Sequence, residues 1–281
     1  MLYLASLAAA AYLLFTAQHN PVGRWFADRV DDTVEFTLGL GFSGPARLLA
    51  GVAVPTLIFS LLYAWLHTWF WGLLGAAIVV ASVCAGVRFD LARRLIDDVQ
   101  IDWLRGDANT AELRLEQALE SWLPSNDSES LARTLTFVEK ALLLALITVF
   151  SGGLYFILLG PVGIVLHLLA VFYHHRSDGA RPDPVLAAVL WLPSRVLATT
   201  FLLVGDFSAG ARVVGGLWTD TSLSVHAVLS RAALAAVPRL EDLDSFGDKS
   251  KLLSSFALLV DLLRRSAVVW LIVFSVWVVL L

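Results

Sequence analysis

The sequence has 281 residues, of which 58% are hydrophobic and 16% are charged, and its mean hydropathy is +0.76. The net charge of -4, without any basic stripe, excludes a nucleic-acid partner. The single cysteine, Cys84, excludes a disulfide framework or a thiolate metal site built within the chain. Long, nearly uncharged segments predict an integral membrane protein, because each helix that crosses a bilayer needs about 20 apolar residues.

The first three apolar segments are Met1–Phe15, Arg47–Trp65 and Trp69–Val87. The first lacks the basic residues of a signal peptide and is followed by a poor cleavage site, so we expect a retained membrane helix. The other two are separated only by residues 66–68. This spacing predicts a helical hairpin whose tryptophan-rich turn lies at a membrane interface.

The next segment, residues 88–136, is amphipathic. Its first helix is predicted from apolar residues at helical spacing, namely Ala92, Leu95, Ile96, Val99 and Trp103. The Gly106-Asp107 pair ends that helix, and Asn109 with Glu112 resembles a capping box for a second one. The apolar face of the second helix consists of Ala111, Leu115, Ala118, Leu119 and Trp122. We expect a cytoplasmic helical hairpin that packs on the membrane helices.

The fourth apolar segment, Ala141–Phe172, is too long for one comfortable crossing and short for two. Gly160-Pro161 predicts a turn within it, with one crossing before the turn and a shorter one after it. His174 and His175 follow where the chain returns to water. Because neighbouring residues diverge by about 100° on a helix, this pair does not predict a metal site.

The segment Pro184–Val204 is apolar but is interrupted by Trp191-Leu192-Pro193-Ser194-Arg195. Proline kinks a helix, and a guanidinium at membrane depth is costly unless it faces protein or water. Two interpretations stay open: an interfacial helix with Arg195 reaching toward water, or a broken, re-entrant helix that lines a polar cavity. Residues 205–263 predict further cytoplasmic or interfacial helices, and Ala267–Leu281 predicts a final membrane helix.

The basic residues fall into four regions, which the positive-inside rule places in the cytoplasm: residues 24–47, 88–140, 176–181 and 239–265. Both chain ends are then periplasmic. The predicted fold is an all-α polytopic membrane protein, one integral membrane domain over residues 1–281. It has about five or six membrane helices, some of them broken or re-entrant, and cytoplasmic amphipathic helices.

Several short motifs, each present once, occur in a recognisable order along essentially the whole chain. They are His19–Arg24, Asp97–Val99 before Leu104–Asp107, Asp183–Leu186 before Trp191–Arg195, and Gly205-Asp206 before Trp218. This order resembles the AmpE family, bacterial inner-membrane proteins linked with β-lactamase induction. That family in turn resembles the adenosylcobinamide-phosphate synthases of the CobD/CbiB family. The Trp-Leu-Pro-Ser-Arg block is the most specific part of the resemblance.

The synthase reaction consumes ATP and needs Mg²⁺ held by carboxylates, with basic groups around the triphosphate. At the places that correspond to the synthase's polar signatures this chain is mostly apolar, and only Glu139, beside Lys140, remains. The resemblance therefore implies an AmpE-like modulator tied to β-lactamase induction and cell-wall stress, with no catalytic residue, metal or cofactor. The alternative is a membrane enzyme with residual or altered ATP- and Mg²⁺-dependent activity. A transporter is less favoured, because the two halves show no internal repeat.

Nine polar residues are candidates for a ligand pocket that opens toward the cytoplasm: His19, Asn20, Arg24, Asp97, Asp98, Glu139, Asp183, Arg195 and Asp206. The competing interpretation is a set of caps and ion pairs that holds broken helices together. We expect Arg195 to pair with Asp183 or Asp206. The predicted partners are the lipid bilayer and an unidentified small molecule or protein, and glycine pairs such as Gly152/Gly153 permit a homo-oligomer.

Overall fold

A computed structural model describes residues 21–43, 45–66, 73–120, 135–176, 184–243 and 249–280. Every element in these ranges is helical, which confirms the predicted all-α class. In chain order the elements are α1 (Pro21–Gly39), α2 (Pro45–Leu48), a π-helical turn (Leu49–Ala53), α3 (Val54–Leu66), α4 (Leu73–Gly86), α5 (Phe89–Arg105), α6 (Ala108–Glu120), α7 (Phe137–Ala145), a second π-helical turn (Leu146–Phe150), α8 (Ser151–Leu159), α9 (Pro161–Arg176), α10 (Pro184–Val204), α11 (Phe207–Thr219), α12 (Val225–Ala236), a 3₁₀ helix (Pro238–Leu243) and α13 (Lys249–Leu280).

Three helices of the described chain are long and apolar enough to cross a membrane: Ala46–Leu66, Phe137–Leu159 and Val185–Val204. The first and second agree with predicted crossings. Only 17% of the first is buried inside the protein, against 56% of each of the other two. The first helix therefore offers most of its apolar surface to its surroundings, as a lipid-facing helix does. The predicted first crossing, Met1–Phe15, lies outside the described residues.

Buried side chains form two clusters. The larger one joins α5, α6, α7, α10, α12 and α13, together with the second π-helical turn. The smaller one joins α1, α4 and α9 with the first π-helical turn. Arg176, at the end of α9, ties the smaller cluster together by bonding to Asp31 at 2.8 Å and to Glu35 at 2.8 Å on α1.

The predicted turn between α8 and α9 is confirmed. Gly160 has φ +64°, a conformation that side-chain-bearing residues rarely adopt, and Pro161 starts the next helix. Near the start of α8, a Cβ on Gly152 would lie 2.1 Å from the carbonyl oxygen of Gly86. This glycine is thus required for the close approach of α8 to the end of α4.

The two predicted amphipathic helices are found as α5 and α6, and their described apolar residues lie in or against the larger cluster. Trp122, the last residue of the predicted face, lies outside the described residues. Gly106, with φ +87°, ends α5. The predicted cap of α6 is wrong by two residues. Asp107, not Asn109, accepts a hydrogen bond from the backbone N–H of Thr110 at 3.0 Å and another from the Thr110 hydroxyl. Asn109 instead lies within α6, on its exposed side.

Of the two interpretations left open for Pro184–Val204, a helix broken at Trp191–Arg195 is wrong, because α10 is one continuous helix of 21 residues. Pro193 lies inside it and has no N–H to donate to the carbonyl of Val189, four residues earlier. The hydroxyl of Tyr155 on α8 donates to that carbonyl at 2.7 Å. A neighbouring helix thus satisfies the group that proline leaves without a partner, and the helix continues.

Candidate functional site

The side chain of Arg195 is fully buried, with 0% of its surface exposed. Nη1 donates to the carbonyl oxygen of Trp191 at 3.3 Å, and Nη2 donates to that of Asp220 at 3.2 Å. The guanidinium carbon lies 4.4 Å from the centre of the Trp191 ring. Nε is buried without a hydrogen-bond partner. Backbone dipoles and an aromatic face thus stabilise this cation.

The turn that receives Arg195 lies between α11 and α12. The Asp220 carboxylate accepts hydrogen bonds from the backbone N–H and the hydroxyl of Ser222, at 2.9 and 2.5 Å. These bonds hold the pKa of Asp220 below its usual value, and the charge of Arg231 lowers it further. The Asp220 carboxylate therefore stabilises the turn through hydrogen bonds within it, and the hydrogen bond from Arg195 connects the turn to α10.

Two tryptophans enclose the same region. The Trp191 and Trp218 rings meet edge to face with their centres 6.2 Å apart, and Trp218 Nε1 donates to the Thr199 hydroxyl at 3.0 Å. We refer to Trp191, Arg195, Trp218 and Asp220 together as the arginine cluster. The cluster joins α10 to the end of α11, so that Arg195 does not extend toward water along the helix surface.

The expected pairing of Arg195 is not found with Asp206. Within the described ranges no carboxylate oxygen lies within 4.0 Å of the guanidinium. The carboxylate that interacts with it electrostatically is that of Asp220. Asp206 lies just before α11, and its backbone N–H donates to the carbonyl of Ala236 at the end of α12. Asp183, the other expected partner, lies outside the described residues.

Glu139 closes a capping box at the start of α7. Its backbone N–H donates to the Thr136 hydroxyl, and its carboxylate accepts the backbone N–H of Thr136 at 3.1 Å. The same carboxylate contacts His226 Nδ1 at 3.3 Å and accepts the Ser230 hydroxyl at 3.3 Å, both on α12. Glu139 therefore caps one helix and joins it to another.

Lys140 is nearly fully buried, with 2% of its side chain exposed, and its Nζ lies 2.9 Å from a carboxylate oxygen of Glu112. This pair joins α6 to α7. Sequence reasoning noted Lys140 only as the neighbour of Glu139. The missed signal was a charge at the start of a helix that is apolar on all sides, which is typical of a buried helix; Phe137, Val138, Leu142, Leu143 and Leu144 are all buried.

The remaining candidates are dispersed. Asp98 lies 3.7 Å from Arg114, which bonds more closely to Asp102, at 2.8 Å. Together these two carboxylates raise the pKa of Arg114, with the hydrogen bond to Asp102 the larger cause. Asp97 is exposed on α5 and Arg24 on α1. His19 and Asn20 lie outside the described residues.

Sequence reasoning did not single out His167 in α9, which is almost completely buried. Its Nε2 lies 3.1 Å from the Ser151 hydroxyl and 3.1 Å from the carbonyl of Ile147, and Nδ1 has no partner. Ile147 belongs to the second π-helical turn. The carbonyl of the next residue, Thr148, accepts the backbone N–H of Arg88 at 2.7 Å.

The structure thus brings the candidate residues into several separate contacts rather than one pocket. Each of these contacts joins one helix to another helix or to a turn. Arg24 and Asp97 are exposed and contribute to none of them. Within the described ranges, no three His, Cys, Asp or Glu side chains are grouped so that they could hold a metal ion. Comparisons of the chain with models of protein families, with curated proteins and with solved structures found no match.

Proposed function

We propose that this protein is a bacterial inner-membrane modulator similar to AmpE, associated with β-lactamase induction and cell-wall stress and without synthase activity. Its buried charged side chains hold the helices together through ion pairs and hydrogen bonds. This is the interpretation that best accounts for the contacts of Glu139, Lys140 and Arg195. The bilayer is its main partner, and the positive-inside rule supports a cytoplasmic position for the α5–α6 hairpin.

The contacts of Glu139 carry the proposal. It is the one carboxylate left at the places that correspond to the synthase's polar signatures, and a synthase would need such a group for Mg²⁺. Here that carboxylate accepts hydrogen bonds from the Thr136 backbone and from Ser230 and also contacts His226. Its oxygens are thus engaged in holding α7 against α12, which supports a structural role.

The proposed regulation is tested in the source bacterium. We expect deletion of the gene to change the β-lactamase activity induced by a sub-inhibitory β-lactam, and a plasmid copy to restore it. An Arg24→Gln copy, altered at an exposed residue, is expected to restore induction equally well. Unchanged induction in the deletion strain would overturn the proposed role.

The absence of synthase chemistry is tested with purified protein in nanodiscs. We expect no Mg²⁺-dependent ATP binding in isothermal titration calorimetry. Stoichiometric binding that requires Mg²⁺ and is abolished by Arg195→Ala, but not by Arg24→Gln, would instead support the enzyme alternative. Loss of binding through unfolding is recognised from the thermal midpoint of the Arg195 variant.

A further inference from the structure

Helix α1 runs alongside the first of the three membrane helices, Ala46–Leu66. The rings of Phe26 and Phe59 meet edge to face, with their centres 6.2 Å apart. Toward the other end of α1, the Thr37 hydroxyl lies 3.9 Å from the place that a Cβ on Gly51 would occupy. Because the later residue of α1 contacts the earlier residue of the membrane helix, the two helices lie side by side and run antiparallel.

The two sides of α1 differ in character. Its inner side is buried in the smaller cluster and carries small or β-branched residues, namely Gly23, Ala27, Val30 and Val34. On the outer side, Trp25 and Phe36 are 58% and 70% exposed. Arg29 and Asp32 lie between them and form an ion pair at 3.1 Å, with both side chains largely exposed. We call Trp25, Asp28, Arg29, Asp32 and Phe36 together the outer face.

The charges of the outer face need a polar neighbour. Asp31 and Glu35 are paired with Arg176, but Asp28 is exposed and forms no ion pair with any described residue. Charged side chains at membrane depth are costly unless they face protein or water. Beside a membrane helix that exposes most of its apolar surface, the outer face is therefore unsuited to lipid. Its exposed aromatic rings favour protein over water, because such rings and arginine are enriched in protein interfaces.

The charges of the outer face are complementary to those of a second copy of the chain. Two copies insert into a membrane in the same orientation, so the two-fold axis of a dimer stands along the membrane normal and their α1 helices run parallel. Successive helical residues are about 100° apart. Asp28 and Arg29 therefore lie on opposite flanks of the line from Trp25 to Asp32. A parallel two-fold pair brings opposite flanks together, which places Arg29 of each copy beside Asp28 of the other.

We propose that the outer face of α1 is a homodimer interface, in which two α1 helices pack in parallel about a two-fold axis along the membrane normal. Trp25 and Phe36 pack on their counterparts, and Arg29 of each copy pairs with Asp28 of the other. The proposal rests on the proposed membrane placement but not on the link with β-lactamase. It places α1 beside the membrane helix, in contrast to the cytoplasmic position that we expected for residues 24–47.

The ion pairs between copies are tested by a charge exchange. Fluorescently labelled full-length protein is reconstituted in liposomes at low density, and single-molecule photobleaching counts the copies in each complex. We expect wild-type dimers. Asp28→Arg brings like charges together across the interface and should lower the dimerisation constant by about tenfold or more. Asp28→Arg/Arg29→Asp exchanges the two flanks and should restore dimers. Asp97→Arg, the same change at an exposed position of α5, is the matched control and should leave dimers intact.

The position of the interface is tested by disulfide formation in the same liposomes. Trp25→Cys and Phe36→Cys should each form disulfides between copies on mild oxidation, whereas the native Cys84 is buried and stays reduced. Ile272→Cys, at an exposed position of α13, is the control and should remain monomeric on a denaturing gel.

Three results would contradict the proposal. Wild-type protein that is monomeric at every density would overturn the dimer. Disulfides at Ile272→Cys but not at Trp25→Cys or Phe36→Cys would move the interface away from α1. Dimers that tolerate Asp28→Arg, or that the double exchange fails to restore, would overturn the pairing of Arg29 with Asp28. None of these measurements reads β-lactamase induction, so their failure and that of the proposed function are distinguishable.

Discussion

Lys140 and Arg195 are both buried cations, but their surroundings differ. Lys140 lies beside the α5–α6 hairpin, with its Nζ 2.9 Å from a carboxylate oxygen of Glu112. Arg195 lies in the middle of α10 and faces two backbone carbonyls and the Trp191 ring. The charge of Lys140 is thus balanced by a carboxylate, whereas that of Arg195 is stabilised by carbonyl dipoles and the face of an aromatic ring.

The difference follows from the chemistry of the two side chains. An ammonium group is a compact, strongly hydrated charge, and burying it without an anion is very unfavourable. A guanidinium is planar and weakly hydrated, and it can stack on an aromatic ring while its edges donate to carbonyls. The comparison therefore predicts which neighbour each cation depends on.

The largest effect is expected where an ammonium group loses its anion. Glu112→Ala leaves Lys140 buried and unpaired, and we expect it to lower the free energy of unfolding by about 3 kcal/mol or more. The measurement is an SDS titration of the protein in mixed micelles. The double variant Glu112→Ala/Lys140→Met removes both charges and should recover most of the loss, because an apolar side chain suits that site.

A Glu112→Ala variant within about 0.5 kcal/mol of the wild type, the range of ordinary surface substitutions, would contradict the ion pair. Glu116→Ala is not a suitable control, since Glu116 itself has contacts. Gln117→Ala, at an exposed position of the same helix, tests for effects of truncation alone.

The arginine cluster should depend instead on the aromatic ring. Trp191→Leu removes the π face from a desolvated guanidinium and should cost about 2 kcal/mol, whereas Trp191→Phe should cost less. Trp218→Leu is the matched control, because it keeps the ring that faces Arg195. Equal losses for Trp191→Leu and Trp218→Leu would mean that packing, and not the cation–π contact, accounts for the effect.

Local patterns in the sequence were enough to predict much of the fold. Helical spacing gave the apolar faces of α5 and α6, and Gly160-Pro161 gave the turn after α8. These features depend on residues within one or two turns of each other, where periodicity and backbone conformation carry the signal. The cap of α6 was misplaced because Asp107 and Asn109 are both good capping residues.

The site was harder to predict, because its contacts join residues far apart in the chain. Lys140 finds its anion 28 positions away, and Arg195 bonds to a carbonyl that any residue at position 220 would supply. The continuity of α10 depends on the Tyr155 hydroxyl, 34 positions from the carbonyl it serves. No local pattern in a single sequence encodes such pairs.

A smaller effect is expected at the start of α7, next to Lys140. Thr136→Ala removes the hydroxyl that accepts the Glu139 backbone N–H and should cost about 1 kcal/mol. Thr136→Ser retains a capping hydroxyl and should lie close to the wild type in the same SDS titration. If the alanine and serine variants are equally stable, the cap does not stabilise this helix.

The smallest effect concerns pH and the turn that receives Arg195. Because hydrogen bonds from Ser222 and the charge of Arg231 lower the pKa of Asp220 in the folded protein, its ionised form stabilises the fold. That stabilisation is fully present above the unfolded pKa of about 3.9 and is lost as pH falls through the lower folded value. We therefore expect thermal midpoints of wild type and Asp220→Asn to converge as pH falls from 6 to 3, with the wild type higher at pH 6. Ser222→Ala, which removes the hydroxyl donor, should shift the convergence to higher pH. A difference between wild type and Asp220→Asn that stays constant across this range would show that ionisation of Asp220 does not hold the turn.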